Sequence, residues 1–436
     1  MQRETYMENT NLNTQAASCK ACPAGGSAEN CGTMYTQRAP RNSCPAGGSA
    51  ENCGIMYTQR ALRNSCPAGG SAVNCGTMYD LGLETKPDFL ECMKRIYAWY
   101  DGEVLDRVPI RFSAHNEEYD TADSADSWGS LKERWFDTEY QVSAFEKNLD
   151  ANQWLGETFP IYFPNLGPNF FAAVLADCEL EFGEVTSWCE PQIFSEEDLE
   201  KICFHPGSSY YQKMLEMMDY ALERCEGRFM VGYTDMHPSL DCAAALRGTQ
   251  ELCMDMYDDI EFVKKLVQKC FEPFFPMMEV FHDKLKQKRQ LSVSWMDIPS
   301  YGTMHIPSCD MGAMISQEFF NEISLPYIKK ESEHFDHNIF HLDGKGVANH
   351  IDEILKIDQI QAIQWVQGVG ADKPIMQWVP FIKKIQAAGK SIVVDLEPQE
   401  LETFIDAVSP KGIYLCMNEK NPETQKQIIA RLLKWK

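Results

Sequence analysis

The stretch Asn338–Gly344, which reads Asn-Ile-Phe-His-Leu-Asp-Gly, contains the pattern that decides the fold. Its apolar residues predict a buried strand, and the glycine after Asp343 predicts a turn. His341 and Asp343 are two positions apart, so on a strand both side chains point to the same face. Polar side chains at the carboxyl end of a buried strand are typical of the site in an α/β barrel.

Seven other runs of β-type sequence accompany this strand, and helical patterns separate them. The eight predicted strands are 107–112, 159–166, 228–236, 290–298, 337–344, 360–368, 391–398 and 412–418. This alternation predicts a parallel sheet closed into a (β/α)8 TIM-type barrel. The longer segment 113–158 is predicted to be an insertion that caps the mouth of the barrel, and 258–287 has the pattern of one long helix.

A tandem repeat with a period of 22 residues precedes the barrel, with copies that start at Cys22, Cys44 and Cys66. Seven of the 17 cysteines lie in residues 19–79, which keeps metal or redox binding open as a function. The repeats contain no histidine, their Cys-x8-Cys spacing is not that of a common zinc finger, and small polar residues dominate. We therefore predict that residues 1–79 are a disordered, low-complexity extension and that residues 80–436 form the barrel.

Composition excludes several classes of function. The chain has 436 residues, of which 44% are hydrophobic, and a formal net charge of −24. An acidic surface disfavours nucleic acid and anionic membranes as partners, because phosphate binding needs an excess of Lys and Arg. No stretch approaches the roughly 18 apolar residues of a membrane span. The N-terminus lacks the apolar core of a secretory signal, so we expect a cytoplasmic protein.

Candidate site residues are the polar side chains that follow the predicted strands, since barrel enzymes build their sites there. Asp235 and His237 could form an acid/base pair, or they could belong to the turn and cap of the next helix, and Asp310 has the same ambiguity. Asp235 and Glu397 are the candidate catalytic residues for proton transfer. The candidate substrate-binding residues are Arg111, His237, Trp295 and Gln367.

His341, Asp343 and Cys416 supply an imidazole, a carboxylate and a thiolate, which are all ligand types for Zn²⁺. Three protein ligands with an open fourth position would make a catalytic metal site. Glu397 could be a fourth ligand or a base. The alternative is that His341 and Asp343 bind substrate through hydrogen bonds without a metal, and that Cys416 is a small buried hydrophobic residue.

Four segments carry a resemblance to a known family, and they are LDRVPIRF (105–112), SLDCAAALRGTQELCMDMYDD (239–259), SCDMGAMISQEFFNEISLPYIKK (308–330) and NIFHLDG (338–344). They resemble the uroporphyrinogen decarboxylase superfamily, which includes corrinoid-linked methyltransferases. The resemblance spans about residues 85–436 and implies a barrel. The corrinoid-linked enzymes carry zinc on a His-x-Cys pair and a later Cys. His341 matches the histidine, Asp343 stands in place of the first cysteine, and Cys416 lies near the second.

The resemblance leads to a first hypothesis of zinc-assisted methyl transfer between a small methylated substrate and a corrinoid protein that would be a separate partner. A homodimer is a further candidate assembly. Uroporphyrinogen decarboxylation is the alternative, but the Arg-rich segment of those decarboxylases is replaced here by Arg111 followed by two glutamates. A substrate with many carboxylates needs several cations. A third hypothesis is a non-catalytic barrel that binds a small ligand.

Overall fold

The computed structural model describes residues 78–112 and 128–436. The predicted repeat extension falls almost entirely outside the described residues. The β-strands are β1 (Ile110–Phe112), β2 (Ile161–Tyr162), β3 (Leu180–Phe182), β4 (Ser187–Cys189), β5 (Met230–Val231), β6 (Met304–His305), β7 (His337–Asp343), β8 (Ala362–Val366), β9 (Ser391–Asp395) and β10 (Ile413–Met417).

Helices follow most of these strands, as expected for an α/β protein. The α-helices are α1 (Phe89–Tyr100), α2 (Leu131–Phe136), α3 (Thr138–Ala151), α4 (Phe170–Ala176), α5 (Ser209–Arg224), α6 (Ser239–Arg247), α7 (Thr249–Asp258), α8 (Ile260–Phe271), α9 (Phe274–Gln287), α10 (Gln317–Phe319), α11 (Leu325–His334), α12 (Gly344–Val347), α13 (Ile351–Ile354), α14 (Val379–Ala387), α15 (Leu401–Ala407) and α16 (Pro422–Leu432). A π-helical turn, Phe320–Ser324, joins α10 to α11. Among the described residues, no helix is long and apolar enough to cross a membrane.

Six strands form one parallel sheet in the order β1-β10-β9-β8-β7-β6. β2 and β5 form a separate parallel pair, and β3 and β4 form an antiparallel hairpin. The described chain is therefore an α/β fold with a curled six-stranded parallel sheet. The prediction of a closed eight-stranded barrel was wrong in this respect, although seven of the eight predicted strands contain an observed parallel strand.

The missing strand is the predicted run 290–298, and the reason is a reversal of the chain. Ser292 and Ser300 form an isolated antiparallel bridge, so the segment turns back on itself. Asp297 lies inside that turn with φ of 56°, which a regular strand does not allow. The chain just after β5 reaches this segment through the backbone hydrogen bond from Tyr233 N–H to the Val293 carbonyl (3.0 Å).

The sheet and its helices enclose a continuous apolar core. β7 is buried along its length except at Asp343, as expected for a parallel strand covered on both faces. The predicted helix 258–287 is instead two helices, α8 and α9. Pro273 lies between them, and proline cannot donate the backbone hydrogen bond of a helix interior.

The start of the sheet is fixed by a buried ion pair. Glu157 is fully buried and accepts hydrogen bonds from the Arg107 guanidinium (2.7 and 3.0 Å) and from the backbone N–H of Ile110 (2.7 Å). The predicted cap 113–158 contains helices α2 and α3, whereas residues 113–127 are not described. Its role over the mouth stays a prediction.

Candidate functional site

Three ligand-type side chains converge at the carboxyl end of β7. One ligand atom from each of Asp310, His341 and Asp343 lies within 4.8 Å of the other two. His341 is buried, whereas the two aspartates are exposed. Because His341 and Asp343 come from one strand, the unexpected member of this cluster is Asp310, which starts a short 3-10 helix, Asp310–Met314.

Backbone contacts with β7 bring Asp310 into place. The His341 N–H donates to the Pro307 carbonyl (2.9 Å), and Ser308 forms a parallel bridge with His341. The carboxylate of Asp241, in the first turn of α6, then accepts the N–H groups of Asp310 and Met311 (3.0 Å each). Asp241 therefore fixes the start of the 3-10 helix and the position of Asp310.

The ring of His341 is held by the neighbouring strand. His341 and Gln364 are paired in the β7–β8 register, and His341 Nδ1 lies 2.6 Å from Gln364 Oε1. An amide oxygen only accepts hydrogen bonds, so Nδ1 of His341 carries the proton in this contact. Histidine ligands of metals are commonly oriented by such a bond. Trp295 packs edge-on against the ring, with centroids 5.2 Å apart.

A chain of hydrogen bonds runs beside the cluster. His237 Nε2 lies 2.7 Å from Asp235 Oδ2, and His237 Nδ1 lies 2.8 Å from Ser308 Oγ. Ser308 Oγ in turn donates to Asp241 Oδ2 (3.3 Å). The sequence prediction of an acid/base pair therefore corresponds to a real contact between Asp235 and His237, and the chain leads from that pair to the residue that positions Asp310.

The charges in this chain favour a protonated histidine. Burial alone would lower the pKa of His237, but the carboxylate of Asp235, assisted by Asp310 and Asp241, raises it to about 10. Burial acts to raise the pKa of Asp235, yet the charge and hydrogen bond of His237 hold it below its usual range. Both shifts describe an ion pair, so at neutral pH His237 donates from both ring nitrogens.

Arg111 and Cys416 lie in another part of the sheet. Cys416 is in register with Arg111 on one side and Asp395 on the other. Arg111 Nη1 donates to Asp297 Oδ2 (2.9 Å) and to the Met296 carbonyl (2.8 Å). Burial raises the pKa of Cys416 to about 11, although the Arg111 guanidinium opposes this shift. The thiol is therefore protonated at neutral pH.

Gln367 follows the end of β8, and Glu397 follows the end of β9. Glu397 Oε1 is 2.9 Å from Lys373 Nζ, and this exposed ion pair occupies the carboxylate. Gln367 Nε2 donates to the carbonyls of Lys373 (3.0 Å) and Asp395 (3.3 Å). These contacts give both side chains a local structural role.

The structure thus brings together some of the predicted site residues. His341 and Asp343 form a cluster that does not include Cys416, and Asp235 contacts His237. The ligand and substrate roles of all these residues stay predictions. Sequence reasoning gave no role to Ser308 or Asp241, and it left Asp310 undecided. Each of these three is a polar residue in a loop or in the first turn of a helix. Such residues are common throughout the chain, so the pattern alone did not distinguish them.

Comparisons with known proteins give a likeness of fold. No protein-family model matches the sequence. No curated protein matches it either. Among solved structures, a methyltransferase from Methanosarcina mazei is similar with a TM-score of 0.53 and 10% sequence identity. The match covers 78% of this chain and 98% of the methyltransferase. At this identity the likeness concerns the fold.

Proposed function

We propose that this chain is a metal-dependent methyltransferase of the uroporphyrinogen decarboxylase superfamily. It would move a methyl group between a small methylated substrate and a corrinoid protein. The fold likeness to a methyltransferase and the four superfamily-like segments support the class of enzyme. Because a fold hosts many activities, the site has to carry the argument.

The observation that carries the proposal is the cluster of Asp310, His341 and Asp343. It lies at the carboxyl end of a parallel strand, where α/β enzymes place their sites. The ring of the buried His341 is already oriented by the hydrogen bond from Nδ1 to the Gln364 amide oxygen. An acidic cluster alone would be weak support, but histidine ligands of metals are typically oriented by a second-partner hydrogen bond such as the one from His341 to Gln364.

These donors fit Zn²⁺ without Cys416. Zinc accepts imidazole nitrogen and carboxylate oxygen at about 2.0–2.2 Å, and three such ligands leave a position for substrate. The set of one nitrogen and carboxylate oxygens is harder than the thiolate-rich set that the family resemblance implies. We therefore assign Asp310 as the third ligand. The bound metal would supply Lewis-acid polarisation of the substrate heteroatom.

The residues beside the cluster supply the proton that methyl transfer from a neutral donor needs. The heteroatom of such a donor loses its methyl group as a cation equivalent, keeps the bonding electron pair and takes up a proton. His237 holds a proton between Asp235 Oδ2 and Ser308 Oγ, next to the Asp310 segment. Among the predicted catalytic residues, Asp235 therefore has more support than Glu397, whose carboxylate is paired with Lys373.

The charge of the site favours a neutral or cationic methyl donor. Asp235, Asp241, Asp310 and Asp343 lie around the cluster, whereas Arg111 is engaged by Asp297. A porphyrinogen with many carboxylates would meet repulsion here, so decarboxylation has less support. Hard oxygen ligands also favour an oxygen or nitrogen donor over a sulfur donor.

The metal content of variants distinguishes the proposed ligand set, which includes Asp310, from the set that the family resemblance implies, which includes Cys416. The full chain would be loaded with Zn²⁺, desalted and analysed by inductively coupled plasma mass spectrometry. We expect one bound zinc in the wild type and in Cys416→Ser, and its loss in His341→Ala and Asp310→Ala. Methyl transfer from methyl ethers and methylamines to free cob(I)alamin would follow the same order.

Two results would overturn the proposal. A wild type that binds no stoichiometric zinc under loading would remove the metal. Retention of zinc by Asp310→Ala together with its loss in Cys416→Ser would replace our ligand set by the one that the resemblance implies. Circular dichroism of each variant checks that the fold is intact, so that loss of metal is not loss of structure.

A further inference from the structure

His350 is a buried histidine on the connection that leaves β7 after Asp343. It ends a short 3-10 helix, Ala348–His350, which follows α12, and it is only 2% exposed. Its ring contacts a second 3-10 helix, Asp310–Met314, whose first residue is a proposed metal ligand. His350 therefore joins the two stretches of chain that supply the carboxylates of the cluster.

The imidazole of His350 makes a directed hydrogen bond to the helix that begins at Asp310. His350 Nε2 lies 2.8 Å from the carbonyl oxygen of Gly312. A carbonyl oxygen only accepts hydrogen bonds, so Nε2 is the donor. The opposite ring nitrogen, Nδ1, lies 3.1 Å from the side-chain amide of Gln317. The ring is therefore held at both of its nitrogens, and one of these contacts fixes a backbone group of the 3-10 helix.

Close packing of the backbone accompanies this hydrogen bond. A Cβ atom at Gly312 would lie 3.4 Å from His350 Cδ2, and a Cβ atom at Gly346 would lie 2.7 Å from the Cβ of Ala313. Gly346 belongs to α12, so the helix that follows β7 lies directly against the 3-10 helix. Glycine permits this approach because it has no Cβ atom. The two stretches of chain are thus fixed relative to each other by packing and by the His350 hydrogen bond.

The π-helical turn between α10 and α11 buttresses His350. The ring of Phe320, in this turn, stacks on the His350 ring with centroids 4.1 Å apart and an angle of 1° between the planes. From the same turn, the buried Ser324 hydroxyl donates to Cys309 Sγ (3.0 Å), just before the 3-10 helix. The turn therefore contacts the segment directly at Cys309 and, through His350, at Gly312. Turns of this type occur frequently at functional sites.

We propose that His350 is a positioning residue for the metal cluster and that its hydrogen bond to Gly312 holds Asp310 in place as a ligand. This role rests on the proposed function, because it concerns the assigned metal site. The carboxylate of Asp241 fixes the N–H groups at the start of the 3-10 helix, and His350 fixes a carbonyl further along it. Loss of the second anchor would let the carboxylate of Asp310 move, and a less ordered ligand binds metal more weakly.

The zinc affinity of two variants separates the hydrogen bond from the packing of the ring. His350→Phe keeps a flat ring against Phe320 but cannot donate to the Gly312 carbonyl, whereas His350→Gln keeps an N–H donor. We expect the dissociation constant for Zn²⁺ to rise about 10-fold in His350→Phe, as is typical when a partner that supports a metal ligand is lost. His350→Gln should recover most of this loss. The assay is competition for Zn²⁺ against a chromophoric chelator, with the full chain.

His337→Phe is the matched control. His337 is also buried, its Nδ1 lies 2.9 Å from Ser300 Oγ, and its ring packs on Tyr100 with centroids 4.1 Å apart. It begins β7, whereas Asp343 ends it, and the ends of this seven-residue strand are roughly 20 Å apart. Both Phe variants should lower the thermal midpoint of unfolding, but only His350→Phe should weaken zinc binding.

Hydrogen exchange measured by mass spectrometry shows how firmly the 3-10 helix is held, without any metal. We expect peptides that cover residues 309–314 to exchange faster in His350→Phe than in the wild type or in His337→Phe. A wild type that binds no zinc would overturn the proposed function, and the exchange rates would still decide whether His350 holds this helix. Unchanged exchange in His350→Phe would overturn the role of His350. Equal losses of zinc affinity in His350→Phe and His337→Phe would also overturn it.

Discussion

Replacing Gln364 with leucine tests whether the orientation of His341 matters to the cluster. The two side chains are buried, and one hydrogen bond of 2.6 Å joins His341 Nδ1 to Gln364 Oε1. Leucine has a similar size but cannot accept a hydrogen bond, so the buried Nδ1–H loses its acceptor. Loss of such a partner costs about 1–3 kcal/mol of folding free energy.

Metal affinity should fall as well, because the ring of His341 would no longer be fixed in its orientation within the cluster. Loss of a hydrogen bond to a histidine ligand weakens metal binding by about 10- to 100-fold, which corresponds to about 1.4–2.7 kcal/mol. The assay is competition for Zn²⁺ against a chromophoric chelator, with urea unfolding of the same samples to measure stability.

Gln367→Leu is the matched control. Its amide donates to the carbonyls of Lys373 and Asp395 rather than to His341, so the substitution should cost stability but not zinc affinity. The reasoning would be refuted if Gln364→Leu bound zinc as tightly as the wild type. It would also be refuted if the two variants lost affinity equally, since the effect would then reflect stability alone.

Three further predictions concern stability and protonation. Glu157→Ala should lower the free energy of unfolding in urea by about 3–5 kcal/mol because it leaves Arg107 buried without its counter-charge, and a loss below about 1 kcal/mol would contradict this. His237 has its pKa raised to about 10, so its stabilising contribution, measured against His237→Gln, should be complete below about pH 6.5 and disappear as the pH rises through about 10. Nitrogen NMR that shows a neutral ring at pH 8 would exclude this ion pair. Gly156→Ala should destabilise more than Gly389→Ala, because its Cβ would lie 2.5 Å from the Ile110 carbonyl oxygen whereas nothing lies within 4 Å at Gly389; both have positive φ, so equal thermal shifts would contradict the clash.

Periodicity in the sequence was sufficient for most of the sheet. Buried parallel strands are continuous apolar runs, and β7 to β10 each lie inside a predicted range. The run 290–298 has the same composition, yet its chain reverses so that Ser292 pairs with Ser300. A reversal of this kind depends on contacts with other segments, which the local pattern does not contain.

Spacing along one strand was also sufficient to associate His341 with Asp343, whereas the third member of the cluster depends on tertiary structure. Cys416 was chosen because it ends a strand, but β8 and β9 separate β10 from β7. Three strand spacings of about 4.8 Å amount to roughly 14 Å along the sheet. Asp310 lies closer to His341 than this. The Pro307 carbonyl accepts a hydrogen bond from the His341 N–H, and the Asp241 carboxylate accepts one from the N–H of Asp310 in the following turn.

The distance of Cys416 from β7 explains why an aspartate suits position 343. A cysteine at that position would need a second thiolate nearby to build a soft site, but the nearest predicted one, Cys416, is a protonated thiol beside Arg111. The neighbour that the fold does provide is the carboxylate of Asp310. An aspartate at position 343 therefore matches its surroundings, because both carboxylates and the His341 imidazole suit a harder metal. Under the proposed function, such a metal would bind an oxygen or nitrogen heteroatom and leave thiol substrates to sites built from cysteine.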